Sequence, residues 1–351
     1  TRLLVRNAAG VYGVSYQWNE NQTDATLAPD AGVDIPFVIT NASQTVTQLW
    51  RIPSRAECLA CHTPQAGYAL SFTTRQLNRT NTINGFHGNQ LELLHAAGYF
   101  ANEPEPSNVL PKHFTPDDES VSLELRARSY LDVNCANCHR PGGTGGDSWD
   151  GRASTPLFDT RMINGDAINN GGDSANKLIV PGDTLHSIIL NRVAATNGFT
   201  RMPPIATREL DEAAIELLSR WITEFDANRI SFSDWQVANF GSTNAPNGLA
   251  EDDPDEDGRN NYTEYLLGTL PLSLNTNIDL SIQVTPENVV QVGFAPSVNA
   301  MGQVLVSTNL FDWVLWDVPG NSGWNGAFGP QLLTGPVTNG VNFFRLWLKE
   351  Y

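Results

Sequence analysis

Four cysteines stand in two pairs, each with two residues between the thiols and a histidine at once after: Cys58-Leu-Ala-Cys61-His62 and Cys135-Ala-Asn-Cys138-His139. That spacing suits covalent attachment of haem c, because two thiols must reach the two vinyl groups of one porphyrin while the next imidazole is carried under the iron. The repeated string predicts two covalently bound haem c groups, with His62 and His139 as iron ligands. Other uses of paired cysteines fit less well. A zinc ribbon sets its pairs ~15–20 residues apart, and Cys61 and Cys135 lie far outside that interval. A thioredoxin-like site needs a βαβ pattern beside its CxxC, and neither pair has one. Disulfides leave both histidines unexplained.

A second constellation is oxygen-rich. Asp253-Pro-Asp255-Glu-Asp257-Gly258-Arg259, followed by Glu264, matches D-x-D-x-D-G-x5-E at every specified position. Calcium takes six to eight oxygens; the loop offers carboxylates from Asp253, Asp255 and Asp257, the Arg259 carbonyl and a bidentate Glu264, with Gly258 at the sharp turn. The plainer alternative is a solvated acidic linker. The stretch after it, Tyr262-Thr-Glu-Tyr-Leu-Leu-Gly-Thr269, resembles the loop-plus-helix calcium units of dockerin and thrombospondin type 3 repeats, which implies a structural Ca2+ joining two parts of the chain.

The elements that must position the second CxxCH pair are legible. Thr115 and Pro116, followed by Asp117, Asp118 and Glu119, read as the start of a helix whose apolar stripe is Leu123, Ala127, Tyr130 and Leu131 and which runs into Cys135. Pro141-Gly-Gly-Thr-Gly-Gly146 is a loop, and a Gly/Asn-rich stretch continues to about Asn176. Arg201-Met202-Pro203-Pro204 follows, then a helix with Ala214, Leu217, Leu218, Trp221, Ile222 and Phe225 on one face. This order, over roughly 116–228, resembles the class I cytochrome c domain, which implies that Met202 is the second axial ligand beside His139. A thioether raises the potential of the iron relative to an all-nitrogen site. Met162 and Met301 lack this context and read as packing.

No Met-Pro follows the first pair. Its second ligand is expected from His95, on a helix predicted over Gln90–Phe100, with His87, His113 and His186 as alternatives. An open sixth position is the other alternative, and it would allow peroxide or gas binding.

Residues 1–50 alternate apolar and polar (Leu3, Val5; Val11, Val14, Tyr16; Ile35, Phe37, Ile39) as short antiparallel strands do. Beyond Leu274 short runs such as Val290, Val292, Phe294 and Val304, Val306 return. The expected architecture is multidomain: a β-rich segment (1–50), a mainly α cytochrome c-like di-haem core made of a first haem region (51–115) and a second haem domain (116–232), a calcium-binding linker (233–272), and a C-terminal β-sandwich (273–351).

Trp50 to His62, Thr74-Arg-Gln-Leu-Asn78 and Arg126 to Gly143 together resemble a family of exported bacterial di-haem cytochromes. Some of its members are fused to or encoded with sugar-dehydrogenase-like propellers. The resemblance implies electron transfer in the periplasm or outside the cell, with redox partner proteins that include a dehydrogenase donor. Self-assembly into a multi-haem filament is compatible with the β-rich ends. The rivals are a peroxidase-like enzyme with one open haem, and a glycan- or surface-binding module using Trp313, Trp316 and Trp324. At 351 residues, with 40% hydrophobic and 17% charged residues, the chain has material for packed cores. Its formal charge of −17 argues against nucleic acid, and no apolar run is long enough to span a membrane. No signal segment opens the sequence, so residue 1 reads as a processed end or the start of a fragment.

Overall fold

The computed structural model describes the chain except residues 41–44, 108–109, 147, 206, 208, 276–278, 322–329, 337–340 and 351; Trp324 and Tyr351 therefore lie outside the described residues. Two compact units emerge. The first takes Thr1–Pro116, Ala127–Thr155 and Thr160–Ile222, and the second takes Asp117–Arg126, Pro156–Asp159 and Thr223–Tyr351. This grouping is coarser than the five segments read from composition: both CxxCH regions share a unit with the N-terminal strands, and the acidic loop shares one with the C-terminal strands.

The first unit opens with an antiparallel sheet of β1 (Arg2–Asn7), β2 (Gly10–Trp18) and β3 (Ala25–Leu27), then the hairpin β4 (Val33–Thr40) and β5 (Thr45–Ile52). Strands form where the alternation lies, but alternation does not map onto burial. Phe37 is 50% exposed and its neighbour Val38 69%, because the described β4–β5 ribbon pairs only with itself. Burial falls instead on Gly13 and Ser15 of β2, where the strand meets α1 (Arg55–Cys61). A Cβ at Gly13 would come within 2.7 Å of Cys58 Sγ, so only glycine lets the strand approach that closely.

After α1 come α2 (Thr74–Leu77), the hairpin β6 (Thr80–Ile83) and β7 (Phe86–Asn89), α3 (Gln90–Ala96), α4 (Leu123–Asn134), α5 (Ile188–Val193) and α6 (Glu212–Thr223). Mainly α does not describe residues 51–232: the helices are short and long irregular stretches separate them. The glycines, asparagines and prolines that make those stretches are poor helix formers. Helix α4 also starts later than Pro116. The Asp118 carboxylate takes the Ser120 N–H, a local turn that competes with helix, and Ser122 Oγ accepts from Leu125 N at 3.2 Å to start the helix proper. On α6 the expected stripe is buried throughout.

In the second unit, α7 (Phe232–Phe240) and α8 (Asn261–Leu267) precede two three-stranded antiparallel sheets. One has the order β12 (Gln331–Pro336), β9 (Val289–Phe294), β8 (Ser281–Val284), and the other β11 (Val314–Leu315), β10 (Ala300–Ser307), β13 (Phe343–Glu350). Val290, Val292, Phe294 and Leu333 of the first and Val304 of the second enclose one core with Trp316 and Val318. A second cluster, Trp235, Tyr265, Leu266 and Ala300, packs α7 and α8 against the second sheet. Trp316 is thus core, while Trp313 is half-buried and donates to the Leu310 carbonyl.

Candidate haem and metal sites

The second CxxCH pair follows α4 without a break. Cys135 N–H donates to Leu131 and His139 N–H to Cys135, which turns both thiols and the imidazole out of the helix end. Buried Arg128 on α4 donates to the carbonyls of Arg152 and Thr155, and Asp150 grips the Arg152 guanidinium, so the helix and the loop beyond the motif form one frame. From that loop Trp149 stacks on His139 at 4.4 Å between ring centroids, and Gly151 N–H donates to the His139 carbonyl. A Cβ on Gly145 would stand 2.7 Å from His139 Nδ1, so this loop requires glycine there.

These residues open onto a cavity of about 300 Å³ with a mostly apolar wall. Cys135, Cys138, His139 and Trp149 line one part; Ile188, Ile189, Val193, Met202, Pro203 and Pro204 line another. Met202 N–H donates to the carbonyl of Arg192 on α5, which anchors the Met-Pro-Pro segment to the cavity wall. Burial, with Arg192 nearby, pushes the His139 imidazole down to about 4, which keeps it in the neutral form that ligates metal. Its buried Nδ1 has no hydrogen-bond partner. The donor set is thus imidazole and thioether on an apolar chamber with the Cys135 and Cys138 thiols, and Cys61 as a third, in its wall, which fits a covalently held haem. Met162, fully buried, and Met301, in the second unit, are not among the cavity-lining residues.

The first pair lies on α1. Ser54 caps this helix in a reciprocal capping box with Glu57, which also pairs with Arg51 at 2.9 Å. Cys58 and Cys61, three apart, share a helix face. His62 is the C-cap, and its Nδ1 lies 2.5 Å from the Tyr68 carbonyl. A proton held there leaves Nε2 as the ligating nitrogen, the second-shell arrangement that orients metal-bound histidines. His95 sits in the last turn of α3, half-buried, with a buried Nδ1 that has no hydrogen-bond partner; it does not line the cavity. His113 is half-buried with Nε2 3.6 Å from Asp132, His87 is exposed beside Thr82, and His186 is bonded to Asp183.

All four thiols are free of disulfides. Tetrahedral zinc would draw four thiolates to about 3.8 Å of one another, given Zn–S bonds of ~2.3 Å. Among the described residues no group of three or more cysteine and histidine ligand atoms converges in this way.

The group that does converge is Asp253, Asp255 and Asp257, with ligand oxygens within 4.8 Å of one another. Asp253 Oδ1, Asp255 Oδ2 and Glu264 Oε2 are buried without a hydrogen-bond donor, and so is Asn261 Oδ1. Glu264 and Asn261 are fully buried on α8. Burial, with Asp255 and Asp257 adding to it, raises the Glu264 carboxyl to about 7. Unsatisfied buried acceptors of this kind fit a hard cation. Asn261 was missed from sequence although it occupies position nine of the twelve-residue loop, where an oxygen ligand is usual. The Arg259 side chain pairs with Asp257 and Asp279, leaving only its carbonyl as a candidate ligand.

A family model described as cytochrome C oxidase, cbb3-type, subunit III matches residues 125–222. The matched stretch runs from α4 through Met202 to α6. It is a c-type cytochrome domain, for which covalently bound haem c and haem-based electron transfer with redox partners follow. No curated protein and no solved structure matches the chain. Among the described residues no helix is long and apolar enough to cross a membrane.

Proposed function

We propose that the chain is a di-haem c-type cytochrome that carries electrons outside the bacterial cytoplasm, in the periplasm or beyond the cell surface. The observation that carries this reading is an apolar cavity that brings His139 and Met202 together with Cys135 and Cys138 in its wall. Haem bound there would take its thioethers from the two cysteines and its axial ligands from His139 and Met202. The bound group supplies a reversible one-electron change, and the surrounding residues fix its ligands and keep water out. The first haem is held by Cys58, Cys61 and His62, with His95 proposed as its second ligand. Redox proteins, a dehydrogenase donor among them, are its partners, and the β-rich ends leave room for assembly with further copies. Export follows from the site of haem c attachment.

A Ca2+ ion bound by Asp253, Asp255, Asp257, the Arg259 carbonyl, Asn261 and Glu264 belongs to the same proposal. Its role is structural, since α8 packs into the core of the second unit.

Electron paramagnetic resonance of the oxidised holoprotein tests the carrier reading. Low-spin signals alone are expected. A high-spin signal together with turnover of peroxide would replace the carrier with an enzyme.

A further inference from the structure

The two CxxCH motifs are far apart in sequence but meet in the first unit. Cys61 Sγ and Cys138 Sγ, the second thiol of each motif, lie 3.6 Å apart. Cys138 Sγ is also 3.3 Å from the Ala60 carbonyl. Around that contact the segment after the second motif is fastened to the first. Thr144 Oγ1 donates to the Ala60 carbonyl, and the Arg140 guanidinium donates to the Gln65 carbonyl at 2.7 Å. Cys61 lines the same cavity as His139 and Met202.

We propose that the two haem-attachment motifs form one composite site, in which Arg140 and Thr144 clamp the motifs together so that the two porphyrins lie edge to edge and act as an electronically coupled pair. The proposal rests on the di-haem reading above. At each cysteine the thiol adds across a vinyl group: the S–H bond breaks, sulfur bonds to the vinyl carbon next to the ring, and the hydrogen goes to the terminal carbon. The addition needs no oxidant. Each sulfur then stands about two bonds from its macrocycle, so sulfurs in van der Waals contact hold the ring edges within roughly 10 Å. A Cys61–Cys138 disulfide is the competing use of the same approach. It would pass two electrons to an oxidant and leave each haem one thioether.

Arg140 and Thr144 are positioning residues here, and their effect is read in spectra rather than turnover. The experiment is circular dichroism in the Soret band of the oxidised full-chain holoprotein, with iron counted in the same sample. Two irons per chain and a bisignate couplet are expected. The couplet should collapse to a single-signed band in Cys58→Ala/Cys61→Ala/His62→Ala. In Arg140→Ala/Thr144→Val it should lose at least half its amplitude with both irons retained. Two irons with a single-signed band in the unaltered protein overturn the coupled pair and leave the di-haem reading standing. Fewer than two irons overturn both. A Cys61–Cys138 disulfide found by non-reducing peptide mapping overturns the composite site.

Discussion

Met202 and His139 are separated by a long irregular stretch, yet both line one cavity, so under the proposed ligation a change at Met202 is read at the iron. Met202→Ala is expected to abolish the sulfur-to-iron charge-transfer band in the oxidised spectrum. It should also lower the midpoint potential by on the order of 100 mV, within the roughly 0.8 V that axial ligands span. Met162→Leu, at a residue outside the cavity lining, should leave band and potential unchanged; redox titration of both variants checks this. Gly145 is a second test at this scale. A Cβ there meets the His139 ring at 2.7 Å, so Gly145→Ala should cost about 1–3 kcal/mol in denaturant unfolding. The proposed ligands were legible in the sequence as candidates, because CxxCH and Met-Pro-Pro are fixed strings, and the fold brings His139 and Met202 to one cavity. The supports were not: the Trp149 stack, the Gly145 approach and the Tyr68 carbonyl on His62 arise only when the chain folds back.

Elements follow the same division. Helix α6 was legible because one apolar stripe repeats at helical spacing and has a core to face. Helix α4 was legible in its body but not at its start, where Asp118 turns the chain locally before Ser122 begins the helix. In the acidic loop five candidate ligand positions could be read off the spacing, and Asn261 becomes a candidate only through its buried, unsatisfied oxygen. Without the ion, the Glu264 carboxyl is raised from 4.5 to about 7, so the folded state keeps a proton that the unfolded chain gives up between those values. The Glu264 contribution to calcium-free stability is therefore fully present below pH 4.5 and is lost as the pH rises through 7. Calcium takes the place of the proton, so the ion should remove that slope and, at 100 times its dissociation constant, add ~2.7 kcal/mol. Thermal melts at several pH values, with calcium and with chelator, check both. Glu264→Gln should erase the calcium response without bleaching the haem, and a melt indifferent to chelator would remove the ion from the proposal.

Over the whole molecule, each unit is sewn from separated stretches of chain, which composition could not disclose. The second unit takes Asp117–Arg126 from well upstream, and within it the buried Arg229 guanidinium bonds the Glu124 carboxylate and lies over the Phe225 ring. Removing that carboxylate leaves a buried cation without its main counter-charge. Glu124→Ala should therefore destabilise the second unit by on the order of 3 kcal/mol in chemical denaturation, far more than an exposed pair would. Of the composition boundaries, 116 coincides with an edge of the first compact unit, whereas 232 and 272 fall inside the second. The meeting of Cys61 with Cys138 was equally hidden, since the motifs lie in different stretches of sequence and nothing local joins them.

The account as a whole depends on two covalent haems per chain. The most direct measurement is the pyridine haemochrome of acid-acetone-extracted, denatured protein, set against chain concentration and iron content. Two haem c and two irons per chain are predicted. A colourless extracted polypeptide, or a single haem c per chain, would contradict it.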